Sequence, residues 1–389
     1  MSPLPTAAPL DPRWVSLVDR IAPRVLGRDD RTGDALAAEI IRLSELYTRE
    51  RAQIGLASDA LAARLRFFLL RDLPKIQGPL AELALAGGLP SGDTWRVLDL
   101  GAGLGTTSLG LAELAKRAGA RRLQITAVEQ DAASLDVFGV LAREAHAEGL
   151  VPEMTLEARR ADLESLEIAS LPPADLVVMG LALNELYADR EEADRLDARE
   201  AALRSMVDRL RPGGSLVVIE PATRALSREL QTLRDRLASQ VFAPCLRDGP
   251  CPLLERERDW CHDQLPFDLP EGLDARAESA GLRRQRLTYA YLTLRADGRR
   301  LWDVADRSPR AHRVVGGPVR SKGKTEWDLC GQAGLVRLRR IDRERSDASA
   351  ALDGAERGAL LTLDREVKGA ALRVRPDVEV RPVDREGAS

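Results

Sequence analysis

The densest set of residues suited to holding a ligand is Val97-Leu-Asp-Leu-Gly101-Ala-Gly103-Leu-Gly105-Thr-Thr. An apolar run leads into three glycines at alternate positions, with Asp99 two residues ahead of the first. Glycine removes the side chain that would keep a ligand away from the backbone, which a strand-to-helix turn needs if a nucleoside or phosphate is to approach it. The spacing Gly-x-Gly-x-Gly is not the dinucleotide pattern Gly-x-Gly-x-x-Gly, and no placed histidine offers hydride chemistry. Glu129 ends the next apolar run, 24 residues beyond Gly105. A carboxylate at a strand's carboxyl end can accept both ribose hydroxyls of a nucleoside. Asp162, in Arg160-Ala-Asp162-Leu after the third run, is placed to accept from an adenine amino group. The alternative is a tight strand–helix turn that binds nothing.

The second group is four cysteines, Cys245, Cys251, Cys261 and Cys330, all in the carboxyl-terminal half and separated by 5, 9 and 68 residues. In a reducing compartment disulfides are not expected. Four thiolates match the ligand count of a tetrahedral zinc or of a cubane iron–sulfur cluster. The paired Cys-x2-Cys of zinc knuckles is absent. Pro244, Pro250 and Pro252 beside the cysteines suit a loop wrapped around a bulky cluster. Four unrelated buried thiols are the plainer alternative. Pro244-Cys245 is also similar to the Pro-Cys nucleophile of cytosine C5 methyltransferases, but it falls after the last strand–helix unit. His262, next to Cys261, would be a fifth donor and reads as a neighbour that packs or hydrogen-bonds there.

These residues need a scaffold, and the hydrophobic pattern supplies one. Apolar runs at Trp95–Leu100, Leu123–Val128, Met154–Ala158, Ala174–Leu183 and Ser215–Pro221 alternate with helical stretches near 106–118, 132–147, 195–210 and 224–239. Such alternation predicts an α/β fold with a parallel, Rossmann-like sheet covered on both faces. Residues 1–92 read as an N-terminal helical region with no cofactor motif, and 93–240 as the core. Residues 241–345 read as a cysteine-containing, basic extension completing the sheet, with short strands at 314–319, 325–329 and 335–341. Residues 346–389 read as a polar tail, its last ten residues poorly ordered. No internal repeat is apparent.

Composition narrows the function. The 389 residues are 44% hydrophobic and 31% charged, which excludes collagen-like, mucin-like and wholly disordered chains. No run of 18 apolar residues is present, so no membrane span is expected. The opening Met1-Ser-Pro-Leu-Pro lacks the features of a secretory signal, and early aspartates argue against a transit peptide, so a cytoplasmic protein is expected. The net charge is −3, yet residues 281–345 hold 17 Arg or Lys against 7 Asp or Glu, leaving −13 elsewhere. This asymmetry suggests one basic face; a merely solvated arginine-rich surface is the alternative. Two of only five lysines fall in Arg320-Ser-Lys322-Gly-Lys324, making these three residues the candidate RNA contacts.

The glycine loop with Glu129, Asp162 and the turn Arg211-Pro-Gly-Gly214 resembles the S-adenosylmethionine site of class I methyltransferases over residues 93–222. A second resemblance is more specific. Val241-Phe-Ala-Pro-Cys245, Cys251-Pro, Asp259-Trp-Cys261-His262 and Arg320–Cys330, with Leu183-Asn184-Glu185-Leu186, are similar to the methyltransferase-like proteins of the mitochondrial small ribosomal subunit and their bacterial relatives. The first resemblance implies S-adenosylmethionine held by Asp99, Gly101, Gly103, Gly105, Glu129 and Asp162; the second goes further. It implies a 4Fe-4S cluster on the four cysteines, zinc being the alternative metal, and partnership with small-subunit ribosomal RNA during assembly. Amino-directed nucleic-acid methyltransferases carry an (Asp/Asn/Ser)-Pro-Pro-aromatic segment where this chain has Asn184-Glu185-Leu186-Tyr187. Asn184 and Glu185 are therefore candidate catalytic residues that can equally cap or pack. Three readings follow: an rRNA methyltransferase, a non-catalytic RNA-binding assembly factor, or a small-molecule methyltransferase with a structural zinc.

Overall fold

The computed structural model describes residues 8–49, 60–266, 268–282, 286–305 and 307–383. The opening heptapeptide read for targeting signals and the last six residues lie outside them.

The N-terminal region is helical, as its spacing predicts. It comprises α1 (Arg13–Leu26) and α2 (Gly33–Arg49), then α3 (Leu61–Ala63), which passes through a π-helical stretch, Arg64–Leu69, into α4 (Leu70–Asp72) and α5 (Gln77–Leu85). The apolar faces of these helices share a core with one face of the first sheet. Buried polar groups fix the docking: Trp14 Nε1 donates to Glu113 Oε1 (2.6 Å), whose other oxygen accepts from Gln77 Nε2 (2.9 Å). Arg66, 5% exposed, is pinned by Asp30 and Asp19, and Arg276 reaches the same Asp19.

From Thr94 strands and helices alternate: β1 (Thr94–Leu100), α6 (Thr106–Arg117), β2 (Arg122–Glu129), α7 (Ala132–Ala147), β3 (Glu153–Arg160), β4 (Ala174–Gly180), α8 (Glu192–Val207), β5 (Leu210–Glu220) and α9 (Arg224–Arg236). Then follow β6 (Val241–Ala243), β7 (Asp263–Pro266), α10 (Glu271–Ser279) and β8 (Arg286–Leu294). The sheet order is β3-β2-β1-β4-β5-β8-β6, with β1 to β5 parallel and β8 antiparallel to β5. Helices α8 and α9 bury their apolar sides on the face opposite the N-terminal helices, so both faces are covered. Arg211-Pro-Gly-Gly214 does not precede β5 as a separate turn. It sits inside the strand as a bulge, where Ala174 pairs Leu210 but Leu176 pairs Ser215.

Residues 240–282, for which the sequence predicts no strand, contain two strands and the helix α10. Both β6 and β7 pair with the same outer edge of β8, β6 with its end and β7 with its beginning. The connection bearing Cys245, Cys251 and Cys261 leaves that edge after Ala243 and rejoins it at Asp263.

The second sheet contains β9 (Ala311–Ser321), β10 (Lys324–Gly331) and β11 (Gly334–Ile341), the three strands expected from sequence. The polar-tail reading is corrected here. Residues beyond Ser346 contribute β12 (Leu360–Leu363), β13 (Ala371–Arg373) and β14 (Val380–Pro382) in the order β13-β11-β10-β9-β12-β14. Leu352, Leu361, Leu363, Val374 and Val380 bury themselves beside Trp327 and Leu338. The alternating apolar residues of the segment find a core only because β9 to β11 offer one.

Candidate functional site

Strand order reverses between β1 and β4, and in open α/β sheets ligands bind outside the carboxyl ends of the strands at such a point. The glycine loop stands there. Gly101, Gly103 and Gly105 all have positive φ (74°, 51° and 77°), and a Cβ on Gly105 would lie 2.1 Å from the Phe138 ring. Glycine is required at that position by both backbone and space. Glu129, at the end of β2, accepts from the Gly103 N–H (2.9 Å) and the Asp131 N–H (3.0 Å), so the acidic residue and the loop form one unit. Asp162 is exposed in the turn after β3, its Oδ1 accepting from the Glu164 N–H (3.0 Å). Asp99 lies 1% exposed beneath the loop, with Ser108 Oγ donating to its Oδ2 (2.6 Å) while Oδ1 has no partner among the described residues. Burial pushes its carboxyl up to about 7.

The segment after β4 closes the other side of the crevice. Leu181 and Tyr187 both take positive φ (59° and 57°), and Ala182 approaches Gly101 so closely that a Cβ there would lie 2.6 Å away. With its amide oriented to suit its neighbours, Asn184 donates to the Leu181 carbonyl (3.3 Å) and to Glu220 Oε2 (3.0 Å). Its own carbonyl accepts from Arg199 (2.7 Å). Burial raises Glu220 to about 8 and Glu185 to about 7. Asn184 is thus engaged in holding the segment, while Glu185 makes no such bonds with its side chain among the described residues.

The N-terminal region supplies a residue the sequence reading missed. Arg64, first of the π-helical stretch, places Nη2 where a Cβ on Gly103 would lie 3.2 Å away, and its Nη1 stands 3.8 Å from Asp131 Oδ2. Nothing in the helical spacing of residues 60–73 marks Arg64 out from the other arginines there.

The four cysteines line one cavity at the junction of the two sheets, together with Gln231, Arg234, Arg247, His262 and Arg313. All four thiols are free. Gln231 Nε2 donates to Cys251 Sγ (3.0 Å), and Gln231 Oε1 accepts from the Cys261 N–H (3.3 Å). Burial, then the neighbouring Cys245, pushes the Cys251 thiol up, and the same causes take Cys330 to about 12. His262 stacks on Trp260 (5.8 Å), and burial depresses its imidazole to about 4. Among the described residues, no three Cys, His, Asp or Glu side chains meet at a point that would hold a single metal ion.

One arginine ties this cavity to the rest of the protein. Arg313 of β9 donates to the Pro244 carbonyl (2.8 Å) and the Gly358 carbonyl (3.0 Å), and pairs with Glu82 of α5 (2.5 Å). Tyr291 of β8 donates to the other Glu82 oxygen (2.5 Å).

The basic segment is less basic in three dimensions than in sequence. Arg295, Arg300, Arg307, Arg337, Arg339, Arg340 and Arg345 are all ion-paired. Of the three candidate RNA contacts at the β9–β10 hairpin, Lys324 pairs with Glu326 (2.8 Å), whereas Arg320 and Lys322 are exposed without an ion pair among the described residues. This hairpin is not beside Cys330. Lys324 and Cys330 occupy opposite ends of β10, about 20 Å apart along an extended strand.

A parallel sheet of order 3-2-1-4-5 extended by an antiparallel strand, with a glycine loop after its first strand, defines a class I methyltransferase fold. Residues 84–354 match the family described as mitochondrial small ribosomal subunit Rsm22, and the chain belongs to that family. No curated protein matches it. Among solved structures, it is similar to a Listeria monocytogenes protein described as a class I S-adenosylmethionine-dependent methyltransferase (13% identity, 72% of this chain and 87% of that one, TM-score 0.36). It is also similar to an rRNA methylase from Streptococcus thermophilus (13%, 56% and 93%, TM-score 0.28). A third is magnesium protoporphyrin IX methyltransferase from Synechocystis with bound S-adenosylmethionine (14%, 68% and 99%, TM-score 0.29). No described helix is long and apolar enough to cross a membrane.

Proposed function

We propose that this protein binds S-adenosylmethionine at the Gly101–Gly105 loop, carries a four-iron four-sulfur cluster, and serves small-ribosomal-subunit assembly by binding its RNA. The observation that carries the reading is that Cys245 and Cys330, 85 positions apart, line one arginine-rimmed cavity with Cys251 and Cys261. Zinc–thiolate bonds of about 2.3 Å would draw the sulfurs within about 4 Å of one another. Thiols that ring a cavity without meeting at a point suit a polynuclear cluster better than a single zinc. Arg234, Arg247 and Arg313 offset the negative charge of such a thiolate-held group. At the other site Glu129 and Asp162 would hold the nucleoside, and the bound donor would supply an electrophilic methyl group. The family's ribosomal association and the exposed Arg320 and Lys322 support an RNA partner. The protein works in the cytoplasm on this reading, where thiols stay reduced.

Asn184 favours a binding role over methyl transfer, because its amide is spent on Glu220 and the Leu181 carbonyl. Anaerobic purification tests the cluster: brown protein with about four iron per chain is expected for a cubane on four thiolates. Colourless protein with one zinc, or Cys→Ser variants with unchanged metal, would overturn it. Titration calorimetry with S-adenosylmethionine, with Gly103→Asp as control, tests the donor site; equal affinity in both proteins would remove it. Incubation of small-subunit RNA with methyl-labelled donor decides between catalysis and binding.

A further inference from the structure

The donor crevice is acidic almost throughout. Asp99, Glu129, Asp131, Asp162 and Glu185 all lie in or beside it. S-adenosylmethionine, however, carries a carboxylate on its amino-acid end, and an anion in an acidic crevice needs a cation. Arg64 is placed to provide one. Its side chain is 22% exposed, so it is partly withdrawn from water while its guanidinium still reaches the crevice. Its approach to Asp131, at 3.8 Å, is too long for a hydrogen bond. No hydrogen bond from Arg64 to any described residue is present, although a guanidinium has five N–H donors in a planar fork. Those donors are available to an anionic acceptor such as a carboxylate.

The local backbone suggests that this placement is built. Arg64 opens a π-helical stretch, a widened turn that is frequent at functional sites. Arg66, two residues on, is anchored bidentately by Asp30 (2.7 Å to each oxygen) and by Asp19, which holds the stretch in register. The guanidinium meets the loop at Gly103, where a Cβ would lie 3.2 Å from Nη2 and the arginine would have to give way.

We propose that Arg64 binds the carboxylate of the methionine moiety, so that the N-terminal helical region completes the donor site. This rests on the donor-site reading above and deepens it. An Arg–carboxylate pair can be bidentate, which fixes orientation as well as affinity. Burial raises the neighbouring Glu185, and the Arg64 charge opposes that rise, so the guanidinium is felt across the crevice.

The test compares two probes on the full chain by titration calorimetry. S-adenosylhomocysteine carries the carboxylate; 5′-methylthioadenosine keeps the nucleoside and thioether but lacks the amino-acid end. Arg64→Ala should weaken S-adenosylhomocysteine about 10- to 100-fold, the usual loss for a hydrogen bond to a charged group. It should leave 5′-methylthioadenosine within about twofold, which also shows that the crevice remains folded. Arg64→Lys should recover part of the loss, because charge is kept and the fork is not. Equal loss for both probes, or no loss for either, would overturn the assignment. If the unaltered protein bound neither probe, the donor-site reading would fail first.

Discussion

Asp99→Asn should remove a pH-dependent penalty that the unaltered protein bears beneath its glycine loop. Burial lifts the Asp99 carboxyl from 3.8 to about 7, with only Ser108 donating to it. The sign follows from proton counting. Below about pH 4 the group is protonated in both folded and unfolded chains and adds no linkage. Between about pH 4 and 7 the unfolded chain releases the proton while the folded one keeps it, so stability falls as pH rises. Above pH 7 the penalty levels off. A shift of about three units corresponds to about 4 kcal/mol. Asn keeps an oxygen for Ser108 and has no proton to lose. Any cost of burying its amide is independent of pH. Urea unfolding, followed by tryptophan fluorescence at several pH values without added ligand, gives both curves. The variant's stability relative to the parent should grow by about 2–3 kcal/mol from pH 5 to pH 8. Parallel curves would refute the reasoning, because Glu185 and Glu220 titrate in both proteins and cancel.

Arg313→Met should cost about 3–5 kcal/mol at pH 7.5, because the Glu82 carboxylate is left buried with only Tyr291 donating to it. Burial already raises Glu82, so on acidification its carboxyl becomes neutral and the cost should shrink; a loss that is constant from pH 5 to 7.5 would mean packing alone. Replacing Arg320 and Lys322 together with Ala should flatten the salt dependence of binding to a small-subunit rRNA fragment by about two units of log K per log salt. Lys324→Ala should change it less, since Glu326 already neutralises that lysine; anisotropy titrations across a salt series would show an equal slope change if the hairpin acts as undivided charge.

The parts of the molecule legible in sequence are those whose signal is local. Strands β1, β2, β4 and β5 are apolar runs buried on both faces, and the glycine loop is written in consecutive residues. β6 and β7 were not legible, because strands of three and four residues leave no periodicity and are strands only by virtue of β8. β12 to β14 were missed for a related reason: their alternate apolar residues mean little until a second sheet offers a core. Linear distance is a poor guide to place as well. Lys324 and Cys330 are neighbours in the chain, but extended backbone carries them to opposite ends of β10. The cysteines were legible by number and not by place, since their meeting depends on how two sheets are joined. Arg64 was illegible because its significance comes from a widened helical turn and from a glycine 39 positions away.

The divided edge of the first sheet also bears on whether one copy of the protein can pair with another. Strand β8 is apolar and aromatic, with Leu287, Tyr289, Ala290, Tyr291, Leu292 and Leu294 all buried. A long strand of that composition with a free edge is a template for pairing with another chain. Here the edge is sealed by two fragments, Val241–Ala243 and Asp263–Pro266, at the ends of the cysteine connection. Neither fragment is long enough to offer a ladder of its own. The connection therefore serves as the guard of the sheet's edge. Whatever loosens it exposes β8, and the first visible consequence of losing the order of the cysteine loop should be self-association.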